Sequence, residues 1–177
     1  MRTFSLHPYL PLDALPGLAI GGSVSRQAET LAIRFVLQGD RRQLAMPRAV
    51  GPPVRRHRLW EKTCFEFFVA PGDAEHYWEV NLSPAGHWNV YRFSGYRQGM
   101  QEELAYTALP VAVRKNATSL QLDAALDLAR IVSPAQPLRI GISAVIQARV
   151  GAHSFWALTH PGPQADFHRR DGFIVEL

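Results

Sequence analysis

The sequence predicts an all-β fold, an antiparallel β-sandwich, and three observations carry that expectation. Apolar and polar side chains alternate in run after run, most clearly at residues 30–38, where Leu31, Ile33, Phe35 and Leu37 interleave with Ala32, Arg34, Val36 and Gln38. That two-residue period belongs to a half-buried strand. Turn-forming sequence separates the runs, as at Ser83-Pro-Ala-Gly86 and Asn116-Ala-Thr118. Finally, only residues 127–132 read as one helical turn. Strands at such spacing form sandwiches or barrels.

Taken in order, the chain starts with a polar, proline-rich lead-in that reads as irregular, followed by strands at 18–25 and 30–38. A basic loop with Met46-Pro47 and Gly51-Pro52-Pro53 then breaks regular structure. Two aromatic runs come next, 59–70 and 76–84, separated by Pro71-Gly-Asp73, and a third strand occupies 87–93. Further strands are expected at 111–115, 119–126, 138–147 and 154–159, with 172–177 closing the chain. The 177 residues, 47% of them hydrophobic, suit one well-cored domain spanning 1–177.

The two aromatic runs hold the candidate site. In the first, Phe65, Phe67 and Val69 share one face and Cys64, Glu66 and Phe68 the other. In the second, Trp78, Val80 and Leu82 are apolar, whereas Tyr77, Glu79 and Asn81 form a polar face. Glu66, Glu79 and Asn81 are therefore expected together, opposite Phe65, Phe67 and Trp78. Trp78 and Trp88 read as core. A saccharide presents an apolar C–H face and a rim of hydroxyls, so it needs aromatic surface beside paired donors and acceptors. Such a face supplies both, and Arg92 on the next strand would add a charged donor.

Composition narrows the alternatives. No apolar run approaches the ~18 residues that a membrane-spanning helix needs, and prolines interrupt the N-terminal region where a signal peptide would carry its apolar core. The expectation is a cytoplasmic chain without membrane contact. The single cysteine, Cys64, forms no internal disulfide and reads as packed rather than nucleophilic. Formal charge is +4, unevenly spread: Arg41, Arg42, Arg48, Arg55, Arg56, His57 and Arg58 occur with no acid among them. The run reads as a solvated loop or, alternatively, as a docking loop for an anion such as phosphate or uronate. Its arginines are not interleaved with aromatics, and no helix-turn-helix or zinc-finger spacing appears, which argues against nucleic acid.

The segments LWEKTCFEFFV, YWEVNLSPAGHWNVYRF and WALTHPGPQADFHRRDGFIVEL resemble the bacterial DOMON-like proteins related to family 9 carbohydrate-binding modules. The likeness is densest over residues 59–100 and 155–177. It implies a DOMON or carbohydrate-binding-module-like jelly roll that binds a small saccharide or sugar-like ligand. It further implies that Trp60 and Trp156 are the stacking tryptophans and that Glu66 is the carboxylate after the first. The expected site is thus Trp60, Glu66, Glu79, Asn81, Arg92 and Trp156, with no cofactor, no metal and no catalytic residue. The runner-up is a glycoside-active enzyme using Glu66 and Glu79. Haem binding through Met46 or Met100 with a histidine, known among DOMON relatives, and a metal held by His160, Asp166 and His168 are further alternatives. No CxxCH or HExxH spacing favours either.

Overall fold

Twelve strands and four short 3₁₀ turns account for the regular structure in the computed structural model, which describes all residues except 11–14, 16, 50, 73 and 152. Part of the lead-in and the third residue of the turn at 71–73 thus lie outside the described residues. The strands are β1 (Arg2–Pro8), β2 (Ala19–Gln27), β3 (Thr30–Gln38), β4 (Cys64–Pro71), β5 (Tyr77–Leu82), β6 (Trp88–Phe93), β7 (Gln101–Glu102), β8 (Val111–Lys115), β9 (Ser119–Asp127), β10 (Leu138–Gln147), β11 (His153–Ala157) and β12 (Val175–Glu176). The one helical turn foreseen after residue 127 is the 3₁₀ turn Leu128–Arg130, capped by the Asp127 carboxylate.

All pairings between these strands are antiparallel, in the order β7-β6-β5-β4-β10-β11-β1-β2-β3-β9-β8. The ribbon folds into a sandwich at β1, whose body pairs with β2 while its end, His7 and Pro8, pairs with Ala157 and Trp156 of β11. One layer is β1-β2-β3-β9-β8 and the other β7-β6-β5-β4-β10-β11. Strand β10 is long enough for β11 and β12 to share one of its edges end to end, with β4 on the other. The lead-in corrects the sequence reading. Phe4 and Leu6 alternate inward and place β1 at the joint, a signal obscured by the prolines that follow.

The main core lies between the layers. Leu31, Ile33, Phe35 and Leu37 of β3 face Phe65, Phe67 and Val69 of β4, with Phe35 and Phe65 rings 5.2 Å apart. Trp78, Val80 and Leu82 of β5 and Trp88 and Val90 of β6 join this core. What sets β4 and β5 apart is that every residue in both is buried, so their second face is covered too. A smaller cluster of Phe68, Tyr77, Tyr91, Phe93 and Phe173 packs there, with Trp60 and Phe167 against it. The cover comes from the 3₁₀ turn Leu59–Glu61 and from the chain end, residues 165–173.

Candidate functional site

On the outer face of β4 and β5, strand register brings the expected polar residues together. Glu66 pairs with Asn81, and Phe68 with Glu79, so the two carboxyls are diagonal neighbours on one face. Asn81 Nδ2 donates to Glu79 Oε1 at 2.8 Å, and Ser143 Oγ of β10 donates to Glu66 Oε2 at 3.2 Å. Exposures of 3% for Glu66, 5% for Glu79 and 0% for Asn81 make this a covered network, more enclosed than a decorated open face. Cys64 completes it from below, its thiol lying 3.6 Å from Asn81 Oδ1.

Over the carboxyls lies a cavity of about 350 Å³. Its apolar lining includes Trp60, Phe93, Met100, Val145, Phe155 and Phe167; its polar lining is Glu66, Glu79, Arg97 and His168. Trp60 arrives on the 3₁₀ turn Leu59–Glu61, entered through Arg58 in the left-handed region at φ 59°, and its ring meets Tyr91 edge-on at 5.6 Å. Phe155 stands on β11, 37% exposed, beside Phe167.

Asp166 fastens the chain end over this cavity. Its carboxylate accepts from Arg97 Nη2 at 2.8 Å, from the His168 backbone N–H at 3.1 Å and from the Tyr96 hydroxyl. Burial opposes its ionisation, but the hydrogen bonds from Tyr96 and Arg97 prevail and hold it below the ordinary carboxylate value. His168, the next ring along, sits among Phe93, Phe68 and Tyr77 at centroid distances of 5.0, 5.3 and 5.9 Å.

These surroundings fix the protons. Burial first, and Arg97 second, press His168 down to about 4, so its imidazole is neutral at physiological pH. Burial likewise holds the Tyr77 phenol at about 12. The Tyr77 oxygen accepts the Arg97 N–H at 3.3 Å and lies 2.8 Å from His168 Nδ1. A phenol that keeps its proton there donates it to Nδ1, which places the imidazole N–H on Nε2, 3.8 Å from Glu79 Oε2. Burial lifts Glu79 to about 7 against the pull of Asn81 and Arg97, and lifts Glu66 well above the usual range with added repulsion from Glu79. With His168 neutral, the pair is no ion pair at neutral pH, and below about pH 7 the carboxyl of Glu79 keeps its proton. Cys64 is raised too, by burial and then by Glu66, which keeps it an inert thiol.

Trp60, Glu66, Glu79 and Asn81 thus meet around one cavity and its floor, whereas the other two expected site residues do not reach it. Arg92 has the same parity as Trp88 and Val90, so it leaves β6 on the core side, opposite Trp78, and ends in solvent. Trp156 is buried in the main core across from Ala144, its Nε1 bonded to Ser154 Oγ at 2.9 Å. Its neighbour Phe155 occupies the site face in its place.

Sequence reasoning missed Phe155, Arg97 and the role of His168. Parity could have excluded Arg92; nothing local chooses between adjacent aromatics at 155 and 156. The trio considered for a metal is drawn apart, since His160 Nε2 meets the His7 carbonyl while His168 engages Tyr77 and Asp166 engages Arg97. No trio or larger group of metal-ligating side chains occurs among the described residues. Met46 and Met100, considered for haem, line different clefts.

Fold and register define an all-β, antiparallel sandwich. A Bacteroides uniformis protein to which carbohydrate binding has been ascribed superposes with a TM-score of 0.77 at 12% identity, over 97% of this chain and 84% of that one. A family 9 carbohydrate-binding module from Caldicellulosiruptor kristjanssonii in complex with glucose superposes with a TM-score of 0.56 at 8% identity, over 92% of this chain and 77% of the module. A cellotriose complex of a family 9 module from that organism gives 0.51 at 6% identity, covering 85% and 70%. At these identities the likeness is one of fold. No protein-family model and no curated protein sequence matches the chain.

Proposed function

We propose that this protein binds a small saccharide, or a sugar-like polyol, in the cavity over Glu66 and Glu79. One observation carries the reading: His168 Nε2 and Glu79 Oε2 face each other at 3.8 Å, too far for a direct hydrogen bond. A hydroxyl set between them accepts from the imidazole and donates to the carboxyl, which is the paired contact a sugar hydroxyl makes. Glu66 offers a second donor and acceptor pair in its protonated form. Trp60, Phe93 and Phe155 supply apolar surface for the C–H face, and Arg97 closes the polar side. At 350 Å³ the cavity is near the lower end of the ~300–1,000 Å³ found for small-molecule sites. Further support comes from the fold, since the modules that share it were solved with glucose and cellotriose.

Calorimetry against a panel of mono- and oligosaccharides tests this. Single hydrogen bonds exchanged with water contribute about 0.5–1.5 kcal/mol net, so the expected Kd is micromolar to millimolar, weakened at least about tenfold in Trp60→Ala and Glu79→Ala. Absence of binding at tens of millimolar, or binding indifferent to both substitutions, would sink the reading.

The raised carboxyls favour glycoside hydrolysis as a second reading, because catalytic acids are tuned this way. Hydrolysis needs one carboxyl held protonated and its partner ionised. Burial raises both; repulsion from Glu79 lifts Glu66 further and Asn81 and Arg97 hold Glu79 to about 7, so below that pH both keep their protons and no ionised partner is present. We therefore expect binding without turnover. Hydrolysis of aryl glycosides that disappears in Glu66→Gln would reverse that order.

A further inference from the structure

The basic run of the sequence divides in two in the fold. Arg55 turns inward: its guanidinium bonds Asn89 Oδ1 at 2.7 Å and the Glu103 carbonyl at 3.0 Å, and it lies 4.7 Å from the centre of the Trp88 ring. Arg41, Arg42 and Arg48 turn instead into a cleft of about 870 Å³, where they meet Lys115 and Arg149 from distant parts of the chain. Five cationic side chains line this cleft, against one acid, Asp40.

Its frame is backbone-built. The Gly39 N–H bonds Thr118 O at 2.9 Å, the Ala45 N–H bonds Gln147 O at 2.8 Å, and the Arg149 N–H bonds Gln43 O at 2.7 Å. Arg149 Nε is held by the Arg42 carbonyl at 2.8 Å. Asp40 is already engaged, capping the 3₁₀ turn Arg41–Gln43 and pairing with the Arg42 guanidinium at 2.9 Å. The remaining charges of Arg41, Arg48, Lys115 and Arg149 have no acidic partner among the described residues. Arg41 reaches only the Ser119 carbonyl at 3.4 Å, while its buried Nε–H lacks an acceptor among the described residues. Lys115 is pressed below the ordinary lysine value by burial and by Arg41 beside it. Gathering like charges around a half-buried arginine has a cost, and that cost falls when an anion joins them.

We infer that this cleft is an oxyanion site, separate from the saccharide cavity, that takes a ligand carrying phosphate groups between Arg41, Lys115, Arg48 and Arg149. Guanidinium forks match phosphate oxygens two at a time, and the buried Nε–H of Arg41 gains the acceptor it lacks. The cleft is wide for a single phosphate, so a diphosphate fits it better.

Titration with sodium phosphate and sodium pyrophosphate at low ionic strength, followed by calorimetry and by the Gly39 and Thr118 amide resonances, tests the inference. Pyrophosphate should saturate in the millimolar range or below, at least about tenfold tighter than phosphate. Arg41→Gln and Lys115→Gln should each weaken it about tenfold. Arg48→Gln, at an exposed position whose loss cannot unfold the sandwich, should weaken it as well, whereas Arg2→Gln should not. Glucose 6-phosphate in a parallel arm separates two sources of the group, provided its binding is lost in Arg41→Gln. Tighter binding than phosphate identifies a phosphorylated sugar and equal binding a free oxyanion; either supports the site. No saturation at tens of millimolar, or an equal loss in Arg2→Gln, would reduce the cleft to diffuse positive charge and overturn it. None of these outcomes depends on whether the cavity over Glu66 binds saccharide.

Discussion

Between about pH 4 and 7 Glu79 keeps its proton while His168 beside it has lost its own, and that inversion has a measurable consequence for stability. For Glu79, burial raises the folded value from 4.5 to about 7, so between those limits the native state holds a proton that the unfolded chain has released, and stability falls as pH rises. His168 acts oppositely: its folded value drops from 6.5 to about 4, the unfolded chain binds the extra proton in that window, and stability rises with pH. The two offset each other between pH 4.5 and 6.5, leaving the fall from Glu66, which extends beyond it. Each uncompensated proton is worth up to about 1.4 kcal/mol per pH unit. Urea melts across pH 5–8 should therefore show declining stability, and Glu79→Gln should flatten the profile below pH 6.5. An unchanged profile in that variant would mean that Glu79 titrates normally. Asn81→Ala reports on the same network, since it removes the amide that donates to Glu79 Oε1. It should cost about 1–3 kcal/mol in a urea melt and push the Glu79 transition higher in pH.

Between residue and fold stands the chain end, which covers the outer face of β4 and β5 and carries His168 and Phe167 to the cavity. Its anchor is Phe173, stacked on Phe68 at 5.3 Å and seated where Gly141 of β10 has no side chain. A Cβ at position 141 would lie 2.6 Å from the Phe173 ring. Gly141→Ala should therefore displace Phe173, cost about 1–3 kcal/mol by overpacking, and weaken saccharide binding without touching a lining residue. Hydrogen exchange should speed up first at the His168 and Phe173 amides; faster exchange in β3 and β9 instead would show that the sandwich, not the cover, had opened. This element also marks what the sequence could and could not reveal. Two-residue alternation in β4 and β5 was enough to bring Glu66, Glu79 and Asn81 to one face, because register follows from which face must be buried. The same parity, carried to β6, would have excluded Arg92. The cover was not legible, because no periodicity tells that residues 165–173 pack against a strand near residue 66, and the choice of Phe155 over Trp156 depends on that packing. Strand β1 was hidden for a different reason: two inward residues, Phe4 and Leu6, are too short a pattern to outweigh neighbouring prolines.

At the scale of the molecule, closing the sandwich requires contacts between residues far apart in the chain, and that sets its folding speed. Strand β10 pairs with β4 across Leu138–Pro71 to Val145–Cys64, and the β1 joint pairs Pro8 with Trp156. Chain must be brought together over those separations before the core between the layers rewards it, a cost that grows with loop length but is met early in folding. The main core is contiguous across both layers, so neither gains a buried face alone. We therefore expect one cooperative transition for the sandwich, and refolding in the millisecond-to-second range typical of all-β topologies. Trp78, Trp88 and Trp156 are all buried in that core and come from β5, β6 and the joint, which makes tryptophan fluorescence a reporter of closure. Stopped-flow refolding followed by fluorescence and by far-ultraviolet circular dichroism should give matching rates and a β-type spectrum. A microsecond phase that recovers the whole fluorescence change would show that local contacts suffice to bury these rings, contrary to the pairing of β1 with β11.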